Sequence, residues 1–173
     1  MQFAKDSFYL ALRARLAALN PARVVNVNGV IRTAWLVIEN EPPGPWLADT
    51  FYLNWGSARA VEDFKEGIRP LLSVDCTISY YSKGTCESGV DRGRVLGALD
   101  SELLSICRPP STPKLDFTKS PSVDLGTNIF WSHPVLSDLA KDNDLQPQRD
   151  RPDFPFQHTA ELVVYFFPEA DLP

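Results

Sequence analysis

Residues 71 to 108 constrain the fold of this chain more than any other stretch. Leu72, Val74, Cys76, Ile78 and Tyr80 alternate with Ser73, Asp75, Thr77 and Ser79. Apolar residues at every second position make a strand with one buried and one polar face. Ser82-Lys83-Gly84 turns the chain, and from about 88 to 107 the spacing changes to three and four. Val95, Leu96, Leu99, Leu103 and Ile106 then fall on one stripe, the period of an amphipathic helix. A half-buried strand feeding such a helix through a short polar loop predicts a helix laid back on a sheet.

The flanking segments extend this plan. Asp6 or Ser7 is placed to cap a helix over residues 6–19, because a short side-chain oxygen accepts from first-turn amides. Phe8, Leu12, Leu16 and Leu19 form its apolar stripe, and Asn20-Pro21 stops it, since proline disfavours helical geometry in the residue before it. Asn28-Gly29 separates two β-rich arms, 23–27 and 30–39. Both residues tolerate positive φ, which marks a type I′ hairpin. The second arm reads as one strand through Trp35 and Val37, apolar on both faces, so that part of it is expected to be buried on both sides. Further strands are expected at 50–55, at 128–133 and at 158–167, the last long and apolar enough to be central in its sheet. Residues 58–68 fit either a short helical turn or an excursion loop. Gly89, Gly93 and Gly97 in the second helix predict a close approach to the sheet or a frayed first turn. The fold class is therefore α+β: a mixed, mainly antiparallel sheet with a β-hairpin, packed against an N-terminal helix and one long central helix.

At 173 residues, 44% hydrophobic and 23% charged, residues 1–173 read as one domain with a real core. Seven of the 15 prolines fall in stiff loops at about 41–48 and 108–127, and 137–157 is an acidic loop. A net charge of −5 without clustered Lys or Arg argues against a nucleic-acid partner. No apolar run is long enough to span a membrane, and residues 1–6 show no signal-peptide pattern. Cys76, Cys86 and Cys107 are odd in number and lack C-x-x-C spacing, which favours free thiols over a disulfide framework, with a Cys76–Cys86 bridge the minor alternative.

Chemistry-bearing patterns are scarce. His133 and His158 are the only histidines, and neither accompanies a nucleophile elbow or a catalytic-cysteine signature. Asp142-Asn143-Asp144 lacks the further ligands, central glycine and closing glutamate of a calcium loop. Glu39, Glu41 and Asp75 have no indicated acid–base partner. No catalytic residue, metal or cofactor is expected. Trp46, Trp55, Trp131, Phe154 and Phe156 are candidates for a subunit interface, where aromatic residues are enriched. The alternative is a bacterial ligand-binding or enzymatic domain whose Trp55, Tyr80, Trp131 and His133 line a pocket.

The helix carrying Ser7-Phe8-Tyr9-Leu10-Ala11-Leu12-Arg13-Ala14-Arg15-Leu16 is followed by the hairpin and further strands. Val74-Asp75-Cys76-Thr77-Ile78-Ser79-Tyr80-Tyr81 then leads to Arg94-Val95-Leu96-Gly97-Ala98-Leu99, and a strand opened by His158 closes the chain. In order and spacing, over nearly its whole length, this resembles the tail terminator (tail completion) proteins of long-tailed bacteriophages. The likeness is one of pattern, without a diagnostic motif, and the segments 41–48, 108–127 and 137–157 depart from it. The resemblance implies a non-catalytic protein that self-associates into a ring, a hexamer, which caps the tail tube and joins it to the head connector. It places the protein in the virion tail, or in the bacterial cytoplasm when expressed from a prophage. Subunits of such a ring meet head to tail, through a contact closed by rotation.

Overall fold

The computed structural model describes residues 1–38, 46–61, 70–84, 89–138 and 156–168. In chain order the elements are α1 (Gln2–Leu19), β1 (Val24–Val27), β2 (Val30–Thr33), β3 (Trp35–Val37), β4 (Phe51–Ala60), β5 (Leu72–Ser82), α2 (Gly89–Ile106), β6 (Ser111–Asp116), β7 (Val123–Trp131), β8 (Val135–Asp138) and β9 (Phe156–Phe166). β5 and β9 pair antiparallel along their full 11 residues, from Leu72 opposite Phe166 to Ser82 opposite Phe156. β4 flanks β5, β3 runs parallel to β4, and β7 then β6 lie beyond β9. β8 pairs with the first half of β9, while β7 meets its second half at Phe130–Tyr165 and Trp131–Val164. β7 and β8 are thus one strand, broken at 132–134 where Pro134 has no amide to give the ladder. Mixed helix and strand content with a mainly antiparallel sheet makes the fold α+β.

Register determines the faces. Val74, Cys76, Ile78 and Tyr80 of β5, with Ala160, Leu162, Val164 and Phe166 of β9, are buried on the side that carries the helices. Against them α1 lays Ala4, Phe8, Leu12 and Leu16, and α2 lays Leu96, Leu99, Leu103 and Ile106. Burying each large apolar side chain contributes about 1.5–3 kcal/mol, so this one cluster dominates the stability. At its centre Phe8 sits between Trp55 and Trp131, with edge-on ring contacts of 5.5 and 5.1 Å.

Several expectations are corrected. α1 begins at Gln2 rather than at residue 6, and no side chain caps it. Ser7 is buried; its hydroxyl donates to the Phe3 carbonyl and accepts the Leu115 amide, tying α1 to β6. Leu19 lies past the end of the core and is 52% exposed. α2 is no longer than α1, at 18 residues each, so two equal helices replace one dominant central helix. The arm expected at 30–39 divides at Ala34: β2 pairs only with β1, and β3 joins the main sheet. The part of the arm expected to be buried on both sides is β3, where Trp35, Leu36 and Val37 are all buried, while Val30 and Ile31 are exposed. The stretch expected as a loop at 108–127 instead folds as the β6–β7 hairpin. Pro113 is accommodated because β6 is an edge strand. Gly93 and Gly97 have nothing within 4 Å of an added Cβ, so they do not mark close approach to the sheet. The tight position is Gly84, in the loop between β5 and α2, where φ is +69 and an added Cβ would stand 2.6 Å from Cγ of Arg92. Residues 39–45, 62–69, 85–88 with Cys86, and 139–155 with the Asp142-Asn143-Asp144 pattern lie outside the described residues.

Arg15 holds the turn from α2 into β6. Its guanidinium donates to the carbonyls of Ile106 (3.0 Å), Pro109 (2.8 Å) and Ser111 (2.9 Å), and its Cζ lies 5.2 Å from the Trp131 ring centroid. Helices leave their last carbonyls without intrahelical partners, and one cation supplies donors here. Arg15→Met keeps the aliphatic bulk and removes the donors. We expect it to lower the unfolding free energy by about 3 kcal/mol, read as a lower urea midpoint with an unchanged m-value.

Candidate functional site

The β1–β2 hairpin is separate from the main sheet, and its attachment is specific. Arg23, just before β1, forms a two-point ion pair with Glu102 of α2: Nε to Oε2 and Nη2 to Oε1, each 3.0 Å. Asn20 donates to the same carboxylate at 2.7 Å, and the Ala34 amide bonds to the Arg23 carbonyl. The side chains of Arg23 and Glu102 are 18% and 16% exposed, so water competes little for a pair whose planar geometry already favours it. Beyond this root Asn28 (φ 51) and Gly29 (φ 84) make the tight turn, as Asn-Gly predicts. Register places Val24, Asn26, Ile31 and Thr33 on one face of the ribbon. Val24 is 51% exposed and Ile31 71%. Val30, at the tip on the other face, is exposed as well.

The expected interface aromatics separate into different settings. Trp46 is exposed; its ring packs on Tyr52 with centroids 4.5 Å apart, and its carbonyl accepts the Tyr81 hydroxyl. Trp55 and Trp131 are core residues, 8% and 4% exposed, because both faces of Phe8 need large partners. The indole of Trp131 further donates to the Cys107 carbonyl at 3.0 Å. These two offer little surface to a partner, which corrects their assignment to an interface. Phe154 lies outside the described residues. Phe156 opens β9 opposite Ser82.

The four residues expected around a pocket do not gather on one surface either. Trp55 and Trp131 are spent on Phe8, His133 is exposed in the β7–β8 break, and Tyr80 turns elsewhere. The Tyr80 hydroxyl donates to Oδ1 of Asp100 on α2, and Nδ1 of His158 lies 3.0 Å from the same oxygen. Tyr80 and His158 are register partners on β5 and β9, so one carboxylate draws α2 down onto both central strands. Burial, then the bond to Asp100 and its charge, push the Tyr80 hydroxyl far above its ordinary range. It therefore remains a donor at every ordinary pH. Among the described residues no group of three His, Cys, Asp or Glu side chains is placed to hold a metal ion. Likewise, no helix among them is long and apolar enough to cross a membrane.

Cys76 and Cys107 are free and buried. Burial raises both thiols. It pushes Cys107 from 9.0 up to about 12, with the Arg15 guanidinium pulling slightly the other way. The unfolded chain loses the Cys107 proton near pH 9 while the folded chain keeps it to about pH 12. Between those limits the folded state binds more protons, so stability is complete below pH 9 and declines as pH rises. We expect urea midpoints to fall above pH 9, and Cys107→Ala to make that decline shallower by about 1.4 kcal/mol per pH unit.

No protein-family model matches the chain, and no curated protein matches it significantly.

Proposed function

We propose that this protein is a structural assembly protein that self-associates through its β1–β2 hairpin. Following the pattern of its elements, we assign it to the tail of a long-tailed phage or prophage, as a ring that caps the tail tube and joins it to the head connector. One observation carries the self-association: Val24 and Ile31 stand 51% and 71% exposed on the outward face of a hairpin whose root is locked to α2. A two-stranded ribbon gains little stability alone, and exposed strands in monomers are normally blunted with charge. An outward ribbon face with Val, Asn, Ile and Thr instead is suited to burial against another protein, since charged residues are depleted at interface centres. Such a role requires shape and adhesion and no chemistry.

Sedimentation velocity over a range of concentrations tests this reading. We expect the wild-type chain to form a discrete oligomer at micromolar concentration. Ile31→Glu should raise the concentration needed for assembly roughly tenfold or more while leaving the melting temperature unchanged. A wild-type chain that stays monomeric at high concentration overturns the assembly reading. Capture of purified tail-tube and head-connector proteins by the wild-type oligomer tests the placement in a tail.

A further inference from the structure

We infer that the loop carrying Trp46 and Asp49 binds an organic ammonium group, its N–H donors on the Asp49 carboxylate and its carbons against the neighbouring aromatic rings. The site is separate from the hairpin, and it stands whether or not the chain assembles.

The loop is pinned to the sheet at three points. The Leu47 amide donates to the Tyr52 hydroxyl at 2.7 Å, the Asp49 amide to the Tyr81 carbonyl at 2.8 Å, and the Tyr81 hydroxyl to the Trp46 carbonyl. The Trp46 ring packs on Tyr52 with centroids 4.5 Å apart; Trp46 is 44% exposed, whereas Tyr52 and Tyr81 are buried. Asp49 stands among them at φ 57, a left-handed conformation that aspartate adopts more readily than most residues. Its carboxylate lies near the Tyr81 phenol: burial first, then Tyr52 and the Asp49 charge, push that hydroxyl up.

Oδ1 of Asp49 is buried and accepts no hydrogen bond, although the residue as a whole is part-exposed. A buried acceptor left unmet lowers stability. The Tyr81 hydroxyl cannot meet it, because its hydrogen is committed to Trp46. The loop thus gathers acceptors, a carboxylate with phenol and carbonyl oxygens, beside electron-rich ring faces. Elsewhere the chain supplies its own cation at such places: Arg23 to Glu102, Arg59 to Asp75, and Arg15 to the carbonyls that close α2. No Lys, Arg or His among the described residues bonds to Asp49, Trp46 or Tyr81. Aromatic faces favour a weakly hydrated organic cation, and an acceptor lacking a donor selects one that carries N–H. A primary ammonium meets both demands, on a free amine or on a lysine side chain. It reaches Oδ1 past the exposed Trp46 ring, so that ring reports its arrival.

Titration with n-butylammonium chloride, set against sodium chloride at equal ionic strength, tests the site by tryptophan fluorescence. Trp35, Trp55 and Trp131 are buried, and Trp46→Phe identifies the part of the signal that belongs to Trp46. We expect a saturable change with a midpoint on the order of 1 mM, and a weaker response to tetramethylammonium, which has no N–H. Asp49→Asn keeps a residue that tolerates positive φ and removes the charge; calorimetry should show its midpoint raised roughly tenfold, with the melting temperature confirming the fold. A short peptide with one lysine separates the sources: a lower midpoint than n-butylammonium assigns the site to a protein side chain, an equal one to a free amine. The inference is overturned by a change that does not saturate, by an equal change with sodium chloride, or by a folded Asp49→Asn variant that binds like wild type. None of these results bears on self-association through the hairpin.

Discussion

Eleven consecutive pairs between β5 and β9 fix the parity of everything around them. Once Cys76 faces Leu162 and Ile78 faces Ala160 on the helix side, Asp75, Thr77, Glu161 and Val163 must face outward, and each neighbouring strand inherits the same division. A slip of one residue would exchange the two sets and place Asp75 among the leucines of α2. The two faces then lead separate lives. The inner face is filled by α1 and α2, with Phe8, Trp55 and Trp131 at its centre; on the outer face, among the described residues, Trp46 covers Tyr52 while Phe130 is 39% exposed.

Polar contacts join the layers where hydrophobic packing alone leaves orientation loose. Arg15 gathers three carbonyls around the end of α2, Asp100 ties α2 to β5 and β9, and Glu102 ties it to the hairpin root. All three lie at the border of the core, half shielded from water. There a charged hydrogen bond retains more of its strength than at an open surface, without the full penalty of burial. Lys114 follows the same rule: its stem is buried in β6 and its amine donates to the Phe167 carbonyl at 2.7 Å. α2 is thus tied at three points over its C-terminal part, from Asp100 to Ile106, beside the packing of its apolar side chains.

Much of this was written locally in the chain. The alternation from Leu72 to Tyr80 and the spacing from Leu96 to Ile106 name their buried residues without knowledge of the fold, because period and partner surface coincide there. Asn28-Gly29 did the same for the hairpin. The β6–β7 hairpin was hidden because Pro110, Pro113 and Pro121 among serines and threonines imitate a loop. An edge strand held by α1 through Ser7 can carry that composition. Trp55 and Trp131 were ambiguous because a large aromatic ring serves a core and an interface equally well, and only the position of Phe8 decides between them. The ties of Tyr80 and His158 to Asp100 cross 20 and 58 residues, so no spacing announces them. Residues 30–39 looked like one continuous strand because the apolar run from Val30 continues into Trp35. The division at Ala34, set by where β3 finds β4, is a tertiary event.

The clamp of Arg23 and Asn20 on Glu102 has a geometric consequence for any assembly built on this hairpin. A ribbon hung from a limp tether would let each joint choose its own angle, and small errors compounded around successive copies would produce open chains of mixed length. A ribbon cantilevered from α2 by a planar two-point pair presents its tip at one inclination. In an assembly built that way, the inclination of each joint is set at the hairpin root, by a single glutamate of the helix layer.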